Sequence, residues 1–212
     1  MARARPVSGQ RPRLLVVTDP MCSWCWGMSA AVDAAAGSLA EVVDFDLLLG
    51  GINTHGTLPV GDYGRRLLMR IWREVEATTG ASFAYRLPDA FVYNSTPACL
   101  AVAAVRRALG RAPFGYLHRL QQLLFAEGRD IGDPALLAAT ATDFGVPAVV
   151  VTDAFGDEVL QGLLADEFAG ARSYGTQALP NLVLEVGGER RLLAGGYVDA
   201  ATLESLVRGA VG

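Results

Sequence analysis

The hydrophobic pattern divides the chain into three stretches. The first holds two apolar runs on either side of an alanine-rich segment. Leu14-Leu15-Val16-Val17 is a continuous apolar run that ends at Thr18-Asp19-Pro20, which predicts a short, fully buried strand stopped by proline. The alanine-rich segment after Met28 predicts a helix with Gly37 as its C-terminal cap. From Val42 to Leu49, Asp44 and Asp46 alternate with apolar residues, which predicts a second strand. Strand, helix and strand within about 40 residues form a βαβ unit, so the two strands should be parallel.

From about residue 60 to 172 the period becomes helical. Leu67, Leu68, Ile71 and Val75 recur at helical spacing after Asp62. Thr96-Pro97 predicts an N-cap followed by proline at the first helical position, with Gly110 closing that helix. Pro113 opens another, with Phe114, Leu117, Gln121 and Leu124 on one face, ending by Gly128. Asp133-Pro134 opens a third, ending near Gly145. Asp157 begins a fourth, whose stripe is Leu160, Leu163, Leu164 and Phe168. The run Val146 to Val151 is a strand by propensity, yet its helical neighbours leave a short helix equally open.

The last stretch returns to strands. Asn181 to Val186, Gly187-Gly188 and Glu189 to Ala194 predict a hairpin, since two glycines satisfy the positive φ of a tight turn. Asp199 caps a final amphipathic helix through about Arg208. The order β-α-β, helices, β-β-α predicts an α/β fold. One mixed sheet is built from residues 13–55 and 173–210, a helical block occupies 56–172, and residues 1–12 form a flexible basic leader.

Composition narrows the class. Of 212 residues 51% are apolar and 19% charged, which excludes intrinsic disorder and permits a large core without disulfide staples. Three cysteines are too few, and odd in number, for a secreted disulfide scaffold. All 18 basic residues are arginine. Four of them lie in residues 1 to 13, leaving 14 arginines against 22 acids, or −8, for the rest. An acidic body argues against nucleic-acid binding. The first apolar run has four residues, far too short for a signal peptide or a membrane span, so a cytoplasmic protein with no membrane partner is expected.

Chemistry concentrates at Cys22-Ser23-Trp24-Cys25, a C-x-x-C between a strand and a helix. A thiolate is stabilised at a helix N-terminus by free N–H groups and the helix dipole. Cys22 would attack a substrate disulfide, and Cys25, one turn deeper, would resolve the mixed disulfide. The competing reading is structural zinc, for which the remaining candidates Cys99, His55 and His118 are each isolated in sequence. No metal is therefore expected. Trp24 is either an apolar rim for substrate or core packing, and Trp26 is expected to be buried. Cys99 reads as a buried small apolar group, His55 and His118 as surface or supporting histidines, and Asn94-Ser95-Thr96 as a turn and cap.

Taken together, Cys-Ser-Trp-Cys after a first strand, a helical insertion and Ala178-Leu179-Pro180 before a hairpin resemble the DsbA-like branch of the thioredoxin superfamily. The segment Asp19-Pro20-Met21-Cys22-Ser23-Trp24-Cys25-Trp26-Gly27 resembles, more narrowly, the bacterial protein-disulfide isomerases of that branch. So do Gly50-Gly51, Trp72 with Ala77-Thr78-Thr79-Gly80, and Phe91 to Cys99. The likeness runs from about residue 13 to 208. It implies a thioredoxin fold in which Pro180 is a cis-proline beside the cysteine pair, and Leu179 offers its backbone to an extended substrate. Ala178-Leu179 departs from the Gly-aromatic or Gly-Val pair expected before that proline. The first strand also lacks the buried acid common in such folds, which leaves Asp19 as the candidate proton acceptor, or as a plain turn residue.

Three functions follow from these residues. One is a dithiol–disulfide oxidoreductase or isomerase acting on protein or small-molecule thiols, without a resident cofactor and with glutathione as a candidate reductant. Another is a glutathione-dependent isomerase or transferase of related fold, a class in which serine typically replaces the first cysteine. The third is a zinc-binding module.

Overall fold

A computed structural model describes residues 11–174 and 178–211. Four strands form one mixed sheet in the order β2-β1-β3-β4. Strand β1 (Arg13–Thr18) pairs in parallel with β2 (Asp44–Leu49) across helix α1 (Ser23–Ser38). It pairs on its other side, antiparallel, with β3 (Asn181–Val186), which continues through a Gly187-Gly188 turn into β4 (Glu189–Gly195). Both turn glycines have positive φ, 61° and 85°, as a tight hairpin turn requires. Helix α8 (Ala200–Val211) follows, with Asp199 Oδ1 accepting the Thr202 N–H at 2.7 Å.

Among the described residues, six α-helices and a 3-10 turn (Arg172–Tyr174) lie between β2 and β3: α2 (Asp62–Thr79), α3 (Thr96–Leu109), α4 (Phe114–Phe125), α5 (Pro134–Thr142), α6 (Ala148–Ala154) and α7 (Glu158–Ala171). The two-residue alternation of β1 serves both sheet faces. Leu14 and Val16 pack with Met28, Val32, Leu203 and Val207 of α1 and α8. Leu15 and Val17 face the other way, with Val183 and Ala171. The largest core lies in the helical block and reaches the sheet at Leu47 and Leu49. Glu167 ties the two parts together: it accepts the Leu49 N–H at 2.8 Å and pairs with Arg106.

The architecture is the expected one, and several local readings are corrected. Helix α1 runs through Gly37, and Leu39 caps it with its N–H on Ala35 O at 2.9 Å. Val42 and Val43 precede β2 in a bend whose N–H groups both donate to Leu39 O. Ser95, not Thr96, is the N-cap of α3, and Pro97 is its second residue. Asn94 Oδ1 accepts the Thr96 N–H at 2.9 Å, which releases the Ser95 side chain for other use. The run at 146–151 becomes helix from Ala148: Pro147 is the N-cap of α6, Val151 is buried and Val149 is exposed. Packing against α3 and α5 overrides β propensity there. Leu163 is exposed on α7, so the buried stripe is Leu160, Leu164 and Phe168. Of the leader, residues 1–10 lie outside the described residues. Arg11 donates to Ala40 O, and Arg13 pairs with Asp46 and Glu185 in the sheet.

Candidate active site

Cys22 is the N-cap residue of α1, with extended backbone at φ −85°, ψ 111°. Its Sγ accepts the Cys25 N–H at 3.1 Å, so the sulfur fills the place of a capping oxygen. A first-turn N–H of the helix, where the macrodipole is positive, thus points at the Cys22 sulfur. Cys22 lines a cavity of about 310 Å³; Cys25 lies behind it, against Thr18. Burial pushes the Cys25 thiol well above the ordinary range, and the hydrogen bond and charge of Cys22 push it further. The outer sulfur is thus suited to attack and the inner one to hold its proton. All three cysteines are free thiols.

The Leu179–Pro180 peptide is cis. Pro180 precedes Asn181, which stands opposite Val17 of β1, and Asn181 Nδ2 donates to Ala178 O at 2.8 Å. Ala178 and Leu179 line the cavity with Cys22. Among the described residues, none hydrogen-bonds the Leu179 main chain. Gly50 and Gly51, at the end of β2, close the cavity's other side. A Cβ at Gly50 would lie 2.5 Å from the Leu179 side chain, and one at Gly51 would lie 2.7 Å from the Phe168 ring. Gly51 also has φ +67°, a conformation that disfavours any side chain. Trp24 is half-buried on the rim, 6.2 Å from the Tyr197 ring. Trp26 is half-buried rather than enclosed, and its Nε1 donates to Ser82 O at 3.1 Å.

Beneath this loop sits Asp19, fully enclosed. Its Oδ1 accepts the Met21 N–H at 2.7 Å, and its Oδ2 accepts Ser95 Oγ at 2.6 Å and Cys99 Sγ at 3.4 Å. Its carbonyl accepts Gln121 Nε2 at 3.1 Å. Tyr93, on the cavity wall, donates its hydroxyl to Met21 O at 3.2 Å. Burial pushes the Asp19 carboxyl up to about 6, against the opposing pull of its hydrogen bonds. Burial likewise raises Cys99, with the Asp19 charge adding to it. Asp19 is both a turn residue, through Met21, and a buried acid. Ser95, Gln121 and Tyr93 are members that sequence reasoning missed. Gln121 carried a signal, as a polar residue on an otherwise apolar helix face.

The raised Asp19 value has a sign that can be measured. The folded protein holds this proton more tightly than the unfolded chain, whose carboxyl stays near 3.8. Its contribution to stability is complete below about pH 4 and is lost as pH rises through about 6, a change of about 3 kcal/mol. Urea denaturation of the wild type and Asp19→Asn across this range should show that extra slope in the wild type alone. Parallel profiles would contradict it.

His55 is exposed, and His118 Nδ1 lies 3.2 Å from Asp33 Oδ2. Among the described residues, no group of three or more His, Cys, Asp or Glu side chains is placed to hold a metal ion. None of their helices is long and apolar enough to cross a membrane.

Sheet order, helical insertion, cis-proline and a dithiol at the start of the first helix define a DsbA-like thioredoxin fold. The chain belongs to the DSBA-like thioredoxin domain family, whose profile matches residues 13–208. It is similar to a solved structure from Nitrosomonas europaea, described as a "putative protein disulfide isomerase": 28% identity, 94% of this chain and 97% of that one covered, TM-score 0.86. It is also similar to the cytosolic disulfide reductase DsbM of Pseudomonas aeruginosa, at 25% identity, with 93% and 96% covered and TM-score 0.73. That protein has also been solved with GSH, in a structure 24% identical, with 93% and 96% covered and TM-score 0.72. No curated protein matches the sequence.

Proposed function

We propose that the protein exchanges disulfides through the Cys22-Ser23-Trp24-Cys25 pair. The Cys22 thiolate attacks one sulfur of a substrate disulfide, forming a mixed disulfide and releasing the other sulfur as thiolate. Cys25 then loses its proton and attacks Cys22 Sγ, which releases the second substrate thiolate and closes the Cys22–Cys25 disulfide. Two electrons pass from the protein to the substrate, and a thiol reductant restores the dithiol. The observation that carries this reading is the split between the sulfurs: Cys22 caps α1 at a cavity wall, and Cys25 is enclosed behind it.

The unengaged Leu179 main chain supports strand addition by an extended substrate, beside Pro180 and under the rim of Trp24. Asp19 serves as proton acceptor for Cys25, on which its charge acts. No resident cofactor enters the cycle, and the partners are protein or small-molecule thiols and disulfides rather than nucleic acid. The relative named a cytosolic disulfide reductase, also solved with GSH, supports a cytoplasmic setting with glutathione as reductant. The presence of both cysteines favours this cycle over the glutathione isomerase or transferase reading, and among the described residues no zinc ligand set accompanies them.

The test is a redox titration in glutathione buffers, with the dithiol state read by mass after alkylation. A reversible two-electron transition of Cys22 and Cys25, with Cys99 unchanged, is expected. A pair that never oxidises across the buffer range, or that carries one tightly bound zinc per chain, would overturn the reading.

A further inference from the structure

Helix α2 lines two adjoining cavities. Ile71 and Glu74 belong to the wall of the Cys22 cavity. Arg66, Arg70 and Arg73 line a groove of about 570 Å³ alongside, together with Tyr63 and Met69. Residues 70 and 71, and again 73 and 74, therefore look into different cavities from one helix. Arg66 lies about 8 Å along the helix axis from Ile71, a distance that a few extended residues span.

Helix α2 carries four arginines and three acids, Asp62, Glu74 and Glu76. Arg106, Arg107, Arg119, Arg190 and Arg208 all pair with carboxylates. Among the described residues, no carboxylate pairs with Arg65, Arg66, Arg70 or Arg73. Arg65 donates to the carbonyls of Val60, Pro88 and Asp89. Arg73 lies over the Tyr85 ring at 5.8 Å. Arg66 and Arg70 are exposed and four residues apart, on one face of the helix. A chain with 22 acids and a net charge of −4 thus places Arg66, Arg70 and Arg73 together on one helix beside its thiol cavity, with Asp62 at the helix start and Glu74 on the cavity wall.

We propose that this strip docks acidic segments of disulfide-bonded polypeptides, so that acidic residues a few positions from the attacked cysteine raise its turnover. The proposal rests on the disulfide-exchange reading above. A polypeptide is favoured over a nucleic acid for two reasons. The acidic body repels a long polyanion, and the groove is lined by Tyr63 and Met69 as well as by arginines, which suits side chains better than phosphates. Opposite charge at an exposed rim acts on encounter and on KM rather than on the bond-making step.

The test uses two disulfide-linked peptides identical around the cysteine, one flanked by Asp and Glu and the other by Arg. Uncharged bis(2-hydroxyethyl) disulfide reports the thiol chemistry alone. The wild type should turn over the acidic peptide with a kcat/KM about tenfold higher than the basic one, through KM. The preference should collapse at about 1 M salt, where screening acts within about 3 Å. Arg66→Glu/Arg70→Glu should invert it without altering turnover of the hydroxyethyl disulfide, and Arg66→Lys/Arg70→Lys should retain it. Equal kcat/KM for both peptides, or a preference that survives charge reversal, would overturn the proposal.

A binding arm separates this from the chemistry. A labelled acidic peptide lacking cysteine should bind the wild type more tightly than the charge-reversed variant by fluorescence anisotropy. That result with no turnover of any disulfide would sink the exchange reading and leave docking in place. Failure to bind, with normal hydroxyethyl disulfide turnover, would do the reverse. Tighter binding of a single-stranded oligonucleotide than of the acidic peptide would overturn the choice of partner.

Discussion

Replacing Cys22 by serine should lower disulfide exchange by more than about a thousandfold, because a serine hydroxyl at neutral pH does not replace a thiolate nucleophile. Cys25→Ser should behave differently. Attack by Cys22 remains available in that variant, but the enclosed resolving thiol is gone, so mixed disulfides with substrate should accumulate and be seen as a mass increase that thiol treatment reverses. The asymmetry follows from placement: both thiols are nearly enclosed, but Cys22 caps α1 and lines the cavity, whereas Cys25 lies off its wall with its proton held tightly. Exchange at the wild-type rate in Cys22→Ser, or mixed disulfides trapped on Cys25 in place of Cys22, would overturn the assignment of roles.

The largest effect on stability should come from Trp72→Ala. Trp72 is 2% exposed and lies in an aromatic cluster, 5.3 Å from Phe83 and 5.4 Å from Phe125 between ring centroids. Truncating a buried tryptophan removes its transfer free energy and leaves a cavity, a loss of about 3–5 kcal/mol. That is a large share of the roughly 5–15 kcal/mol that holds a domain folded. Trp72 also anchors the helix that carries Ile71 and Glu74 to the thiol cavity, so exchange should weaken under conditions where the wild type is still fully folded. Urea titration measures the first effect, and Trp72→Phe should recover most of it. A loss below about 1 kcal/mol would show that the cluster collapses around the gap.

Much of the fold is legible in the amino-acid sequence. The apolar run of β1, the alternation before Leu49, the Gly187-Gly188 turn and the caps at Asp133, Asp157 and Asp199 all predict elements that are present. The C-x-x-C appears at the start of a helix in the sequence and stands there in the fold. Where local reading failed or left alternatives open, distant packing was the cause. Val146 to Val151 is open between strand and short helix in the sequence, and packing among α3 and α5 settles it as helix from Ala148. Thr96-Pro97 has the form of a cap and first turn, but Ser95 is the N-cap, and Asn94 Oδ1 takes the Thr96 N–H while the Ser95 hydroxyl donates to Asp19.

Sequence by itself determined the order of elements apart from α6, the parallel and hairpin pairings and the position of the dithiol. These depend on interactions over a few residues: backbone propensity, side-chain alternation, turn chemistry and a cap. The likeness to a known family already pointed to Trp24, Leu179, Pro180 and Asp19; tertiary structure alone decided the polar groups packed behind the dithiol. Ser95 reaches Asp19 across 76 residues of chain, and Gln121 reaches it across 102. Gly50 and Leu179, from opposite ends of the sequence, meet so closely that a Cβ would lie 2.5 Å from the leucine. In one dimension Asp19, a carboxylate beside a proline, stays open between a turn residue and a proton acceptor. It becomes a buried acid only when α3 and α4 close over it, because desolvation depends on what the rest of the chain puts there.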